Sequence, residues 1–371
     1  MSLPRFYSLS PWNDLSGAPL CALDHLRFLD PSSENSLFLL PRAGCLEARA
    51  AEHRVPVEVI PLYTGARSSS RIPPVFSIAR TRVSFVRRLT ALLRGRPGIL
   101  HIHSLAPHLP YALFAARRAR CPAAVTIHEP WDGSRRRRFL LACVRKARCP
   151  VVFLSESARR AFPSLPGNPA AVISNAFPLP PVPAASRNPV PVVALVAALS
   201  RRKGVDTALR IALEIRQRAV PAKFLFIGPW IEEDTRRESL AFVRQNHLEN
   251  TVSFPGPLPD PAAIYPPIDI LLAPSRRDPY PRVVMEALSY ARPVVASGVD
   301  GIPDMLGPLA PDSLAPPGDV PAFVDRLLPL LRDPALRGAR AAAARARAEA
   351  LFSPGAYRAA ILSLYRTAGF L

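Results

Sequence analysis

The sequence predicts two α/β domains, each built on a doubly wound parallel sheet. Three observations predict it. Short apolar runs alternate with helix-patterned stretches. A stretch dense in proline, residues 177–191, interrupts the alternation near mid-chain, and the alternation then restarts. At 371 residues the chain is long enough for two domains with separate cores. A hydrophobic content of 49% and a mean hydropathy of +0.12 describe a globular chain and exclude a disordered one.

In order along the chain, "RFYSLSP", "SLFLLP", "VPVEVIPL", "GILHIHS", "PAAVTIHE", "PVVFLSES" and "AAVISNAF" read as buried strands, each closed by polar or turn residues. "GAPLCALDHLRFL" and "HLPYALFAARRAR" between them read as helices. "FPLPPVPAASRNPVP" holds too many prolines for a helix or a central strand and reads as a linker. After it, "VVALVAAL", "KFLFIGP", "TVSFPGP", "DILLAPS" and "PVVAS" are strands, and "VDTALRIALEIRQRA", "RRESLAFVRQN", "PRVVMEALSYA" and "VPAFVDRLLPLLRD" are helices. The tail "SPGAYRAAILSLYRTAGF" opens with a Ser cap and Pro at the first helical position, so a last helix is expected. The expected domains are 1–177 and 191–352, with a linker at 178–190 and a final helix at 353–371 that can pack back on the first domain. Ligands of such sheets bind beyond the carboxyl ends of the strands, in a cleft the two domains are expected to face.

Other classes fall away. The best apolar run, "VPVVALVAAL", is about half a membrane span and contains Pro191. The N-terminus lacks a charged region followed by an apolar one, so no signal peptide is expected and a cytoplasmic location is. Five scattered cysteines without a C-x-x-C pair suggest neither a zinc ribbon nor a disulfide framework, and buried free thiols are expected. No D-x-D follows a strand and no His, Asp or Glu cluster has metal-ligand spacing, so no metal and no cofactor are expected. "EED" at 232–234 reads as a solvated helix start.

One stretch carries chemistry. "APSRRDPYPRVVMEALSYARPVVASGVDGIPDML", residues 273–306, reads as strand, loop and helix. Asp278 falls in the loop at the carboxyl end of the strand and Glu286 about one turn into the helix. Backbone N–H groups of that first turn attract anions. Two carboxylates around a helix end can hold hydroxyls at two ends of a polyol whose phosphate the helix end accepts, a geometry that suits a sugar nucleotide. Taken singly, Asp278 could be a turn residue and Glu286 an electrostatic aid to the first turn.

Together these residues resemble the signature of retaining family 4 glycosyltransferases of the GT-B fold. Pro274, Ser275, Asp278, Pro279, Tyr280, Pro281, Val283, Glu286, Ala287, Leu288, Pro293, Val294, Val295, Ala296, Gly301, Pro303 and Asp304 match it in register. The resemblance implies that Glu286 holds the ribose of a nucleotide-sugar donor and that Asp278 faces the sugar, with Tyr280, Pro281 and Val283 on the donor side. Two departures stand out: Asp278 replaces a usual Glu, and Arg292 a usual small residue. "VVALVAALSRRKGVDTALRIA" resembles the family's KG segment, which puts Lys203 and Gly204 at the donor diphosphate. A cation there would stabilise the leaving nucleotide, and Lys203 is one of only three lysines. The family's partner arginine aligns with Ala198, leaving Arg201 or Arg202 as a substitute, of which Arg202 is the donor-binding candidate.

The first half is similar to the family in "NDLSGAPLCALDHL", where Gly17 marks the loop after the first strand, in "GILHIHS" with His101 and His103, and in "VTIHEPW", which implies that His128 faces the donor sugar. The implied activity is metal-independent, retaining transfer of a hexose from a UDP-, GDP- or ADP-linked donor to a glycan or glycolipid acceptor, the first domain lying on the acceptor side. Asp278, His128 and Lys203 are the catalytic candidates. A degenerate GT-B protein that binds nucleotide without transfer is the alternative that Ala198 favours. A basic docking protein that reuses the fold, and a sugar-nucleotide epimerase, also stay open.

The formal net charge is +20, carried mostly by Arg. Coding bias explains Arg over Lys but not the excess of base over acid. "GSRRRRFLLACVRKAR", residues 133–148, sets an Arg run beside an apolar helical stretch. It reads either as a dock for anionic lipid at the inner face of the plasma membrane or as a solvated Arg-rich helix face. Nucleic acid is the weaker reading, because no array of stacking aromatics accompanies the charge.

Overall fold

A computed structural model of the chain describes residues 4–62, 75–182, 188–258 and 260–371, the side chains of 75–78 aside. It divides into two compact units, Met1–Ala176 with Pro354–Leu371, and Phe177–Ser353.

The first unit is a seven-stranded parallel sheet in the order β3-β2-β1-β4-β5-β6-β7. Its elements run β1 (Arg5–Leu9), α1 (Gly17–Leu29), β2 (Ser36–Leu40), α2 (Leu46–Glu52), β3 (Val57–Val59), α3 (Val75–Gly95), β4 (Gly98–His103), α4 (Leu109–Ala119), β5 (Ala123–Ile127), α5 (Arg135–Ala147), β6 (Val151–Phe153), α6 (Glu156–Ala161) and β7 (Ala170–Val172). Alternation along the strands serves two cores. Tyr7, Leu9, Leu100 and Ile102 pack under α3, α4 and α5. Phe6, Phe38 and Ile99 pack under α1, α2 and the last helix of the chain. Strand runs are apolar on both faces because helices cover both.

The second unit is a six-stranded parallel sheet in the order β10-β9-β8-β11-β12-β13. It runs β8 (Val192–Val196), α7 (Val205–Gln217), β9 (Lys223–Ile227), α8 (Glu233–Gln245), β10 (Val252–Gly256), α9 (Pro261–Ile264), β11 (Ile270–Ala273), α10 (Arg282–Ser289), β12 (Val294–Ser297), α11 (Ile302–Leu306), α12 (Ala310–Ser313), β13 (Leu314–Ala315), α13 (Val320–Arg332) and α14 (Pro334–Phe352). Pro255 sits in β10, an edge strand, where a missing N–H costs least. All twelve expected strands are present. β13 has only two residues and α14 is Arg- and Ala-rich with little apolar patterning, so neither announces itself in sequence.

The Pro-rich segment is laid on the second unit, with residues 183–187 outside the described residues. Phe177 is buried there, its N–H donates to the Phe352 carbonyl at 3.1 Å, and Arg345 donates to the Pro180 carbonyl at 2.6 Å. α15 (Pro354–Thr367) belongs to the first unit and packs against α1, with Arg358 donating to the Leu29 carbonyl at 3.0 Å. The cysteines are free thiols; Cys21 and Cys149 are buried, but Cys45 is exposed, because it precedes α2 on a surface turn and not on an inward strand face. Among the described residues no helix is long and apolar enough to cross a membrane.

Candidate functional site

In both sheets the chain reverses its direction of winding beside the first strand: between β1 and β4 in one unit, between β8 and β11 in the other. Loops leaving adjacent strands in opposite directions open a crevice at such a point. The residues singled out in the second unit follow these two strands.

After β8 the loop reaches a single 3₁₀ turn, Arg201–Lys203, and Gly204, whose φ of +74° opens α7. A Cβ at Gly204 would sit 2.0 Å from the Pro274 carbonyl oxygen, so only glycine lets this loop lie against the end of β11. Contact with the β11 loop continues alongside, where the Arg276 N–H donates to the Arg202 carbonyl at 2.9 Å. Lys203 Nζ thereby meets Asp278 Oδ2 at 2.5 Å, with both side chains largely buried. The Ser275 hydroxyl donates to the same oxygen at 3.3 Å, and the Asp278 N–H donates to Asp300 at 2.7 Å. Asp300 also pairs with Arg277 at 3.2 Å. The two arginines beside Lys203 diverge. Arg201 pairs with Glu238 on α8, whereas Arg202 donates to the Arg277 carbonyl at 2.9 Å, beside the loop that carries Asp278. Ala198 lies exposed in the same β8 loop.

Glu286 lies one turn into α10, whose N-cap is Pro281, a residue with no side-chain acceptor for the first-turn N–H groups. Its carboxylate is buried and oriented from two sides. Tyr265 Oη donates to Oε2 at 2.9 Å and Arg282 Nε donates to Oε1 at 2.8 Å. Burial and the adjacent Glu286 charge push the Tyr265 phenol well above its ordinary range, so it stays a donor. Tyr280 and Val283 are half-buried against the core under α10. Arg292 is buried and donates to the Tyr265 and Pro266 carbonyls at 2.9 Å, which fixes the backbone behind Tyr265. Glu232, the residue before α8, accepts from Thr235 Oγ1 at 2.7 Å and from the Arg201 N–H at 3.2 Å and makes no side-chain cap to the helix.

The first unit collects histidines. Gly17 is the exposed first residue of α1, directly beyond the β1 loop. The two-residue period of β4 sends both His101 and His103 to the face that α1 and α15 cover. There a continuous chain forms. Tyr357 Oη meets His25 Nδ1 at 2.7 Å, His25 Nε2 meets Tyr365 Oη at 3.3 Å, and Tyr365 Oη meets His101 Nδ1 at 2.7 Å. His101 Nε2 then meets Thr126 Oγ1 at 2.6 Å. His103 Nδ1 meets His128 Nε2 at 3.1 Å. A neutral imidazole supplies one donor and one acceptor, which such a chain needs. Burial holds His25 and His128 down to about 3 and His108 to about 4, and burial with neighbouring histidines holds His101 and His103 well below their ordinary range. His25, His101 and His103 form the one group among the described residues with metal-ligand proximity, their ring nitrogens within 4.8 Å. The hydroxyl partners already occupy both ring nitrogens of His25 and of His101.

The structure therefore brings Lys203, Gly204, Arg202 and Asp278 together in the second unit, with Tyr280, Pro281, Val283 and Glu286 following on the same loop and helix. Gly17 and His128 lie in the first unit. Sequence reasoning missed Tyr265, Arg282 and Asp300. The i,i+4 spacing of Arg282 and Glu286 was a readable signal; Tyr265, 21 positions before Glu286, offered none.

Comparison with known proteins follows the same division. Residues 41–179 match the family profile Glycosyltransferase Family 4, and residues 190–333 match Glycosyl transferases group 1. The chain is 30% identical over 147 residues to the 2-deoxystreptamine glucosyltransferase of Streptomyces kanamyceticus, which is 39% of this chain and 37% of that protein. The matched stretches span about a third of the length of the first curated relatives. Among solved structures, Anabaena HepE in complex with UDP and glucose superposes with a TM-score of 0.81 at 19% identity, covering 99% of this chain and 100% of that one. Sucrose-phosphate synthase from Thermosynechococcus elongatus superposes with a TM-score of 0.74 at 19% identity, covering 98% of each chain. These likenesses establish the GT-B fold.

Proposed function

The chain belongs to the group 1, family 4 glycosyltransferases, and on that premise we propose that it moves a hexose, with retention, from a nucleotide-sugar donor to a glycan or glycolipid acceptor in cell-envelope glycan synthesis. One observation carries the reading. The residues that answer the family signature form an oriented polar constellation in the second unit: Lys203 on Asp278, and Glu286 held by Tyr265 and Arg282. In it, Glu286 accepts the ribose hydroxyls. Lys203 exchanges part of its contact with Asp278 for the donor diphosphate, offsetting charge as the nucleotide leaves. Asp278, released from that pair, is available to the sugar. Backbone N–H groups at the uncapped start of α10 add to phosphate binding. The role given to Lys203 needs no divalent cation.

UDP is the first donor to test, since HepE is described with UDP and with UDP-glucose; GDP and ADP follow. Calorimetric titration of the purified protein with the three diphosphates and their hexose conjugates tests the reading, with Glu286→Ala alongside. We expect one nucleotide to bind selectively and its affinity to fall by roughly ten-fold or more in the variant. Absence of binding by the wild type at saturating ligand would remove the donor site. Ala198 favours a second reading, nucleotide binding without transfer. Ala198→Arg should then add turnover of a bound nucleotide sugar only if the site is otherwise intact.

A further inference from the structure

The basic charge of the first unit is not spread evenly. α3, α4 and α5 lie side by side on one face of the sheet, α3 packed on α4 and α4 on α5, over a single core. α3 contains five arginines, α4 two, and α5 five arginines and a lysine, and the three helices contain no Asp or Glu. The opposite face of the same sheet is covered by α1, α2 and α15, which together carry four basic and three acidic residues. Coding bias toward arginine acts on both faces alike, so it does not account for thirteen positive charges against a net of one. Acids beside the basic layer are few: Glu58 stands 3.8 Å from Arg88, and Glu129 and Asp132 stand 3.6 and 3.9 Å from Arg137.

The same layer exposes apolar side chains. Phe139 is 61% exposed, Val83 59% and Phe114 52%, one on each helix, and Phe114 and Phe139 are the only exposed phenylalanines among the described residues. Each helix buries its other face normally, through Phe85, Leu89 and Leu93, through Leu109, Ala112 and Leu113, and through Leu140, Leu141 and Val144. The exposed residues are thus outward positions and not slipped core positions. Phe139 directly follows Arg135–Arg138, and the Arg118 guanidinium lies 5.8 Å from the Phe114 ring centre. A surface that binds polyanions by charge alone has no use for solvent-exposed phenylalanine on helices, and two such rings fall short of the stacking array that a single nucleic-acid strand tracks. A surface that lies on a bilayer uses both features, arginines against the headgroups and rings at the acyl boundary.

We propose that the outer face of α3, α4 and α5 is a docking surface for an anionic lipid bilayer. It joins three stretches of sequence into one plate and needs nothing from the nucleotide site, so it stands independently of the proposed transfer reaction.

Flotation of the purified full chain with vesicles tests it, comparing phosphatidylcholine alone with phosphatidylcholine containing phosphatidylglycerol. We expect partition onto the anionic vesicles only, weakening as salt is raised. The triple substitution Arg135→Glu, Arg136→Glu, Arg138→Glu should lower the partition coefficient at least ~ten-fold. The pair Phe114→Ser, Phe139→Ser, which leaves the charge unchanged, should lower it several-fold and leave a more salt-sensitive remainder. All five side chains are outside the core, and melting curves establish that the variants fold; if one does not, the wild-type lipid and salt series decides by itself. No partition onto anionic vesicles at low salt overturns the proposal. So does partition that the phenylalanine pair leaves unchanged, which would identify a general polyanion surface. Nucleotide titration with Glu286→Ala reads the other unit, so failure of either proposal is seen separately.

Discussion

The two Rossmann-like units solve one problem with different chemistry. Each must bury polar groups against the apolar strands of its sheet. The first unit does so with neutral imidazoles and hydroxyls, in the chain Tyr357, His25, Tyr365, His101 and Thr126. The second does so with ion pairs, Lys203 with Asp278 and Arg282 with Glu286. A neutral chain is indifferent to salt, hostile to protons, and exchanges partners only by breaking. An ion pair can hand one of its members to a charged ligand without leaving a group uncompensated. The contrast teaches that the first network suits holding a helix in place, whereas the second can be re-partnered, as the proposed donor chemistry requires.

The largest effect should come from breaking the ionic side. Lys203→Met is expected to lower transfer, or hydrolysis of the bound donor, by ~10²–10³-fold. It should also cost the second unit about 1–3 kcal/mol, because Asp278 is left largely buried without its cation. Adding Asp278→Asn should recover the stability and not the activity, and thermal melts with steady-state kinetics separate the two. Recovery of both would show that the pair is structural only.

On the neutral side Tyr365→Phe is expected to cost about 1–3 kcal/mol, since His25 and His101 both lose the hydroxyl between them. Denaturant unfolding should show the loss in the first unit while nucleotide affinity in the second stays as it was. A nucleotide affinity that falls with it would blur the division drawn here.

Acid should sharpen the comparison at the smallest amplitude. Six of the seven histidines lie in the first unit. Burial holds His25, His108 and His128 below their ordinary range, so between the unfolded value of about 6.5 and the folded values of about 3 to 4 the unfolded state binds more protons. Stability from these groups is full above that window and is lost as pH falls through it, at up to about 1.4 kcal/mol per pH unit for each histidine. Melting followed from pH 7 to pH 4 should show the first unit's transition fall ahead of the second's. Parallel decline of the two transitions would argue that carboxylates, not the histidines, govern acid stability.

Much of this protein is legible without coordinates, and for a local reason. Apolar runs closed by turn residues mark buried strands wherever helices cover both faces, and all twelve expected strands formed. β13 escaped because two residues carry no pattern. The donor-site candidates were legible because Asp278 and Glu286 sit on one strand, loop and helix, whose geometry spacing alone approximates. Pairing across distant loops was not legible. Lys203 meets Asp278 75 positions away only because β8 and β11 are neighbours and Gly204 lets the loops touch. Tyr357 and Tyr365 reach His25 and His101 across 332 and 264 positions because α15 lies on α1. The basic plate is likewise spread over three helices that read separately as solvated arginines. Sequence periodicity determined the elements, and residue identities in register carried the family signature, since both depend on neighbours along the chain. Which polar groups became partners, and which charges became one surface, was decided by strand order, because a side chain's electrostatic surroundings are set by what the fold brings within a few ångströms.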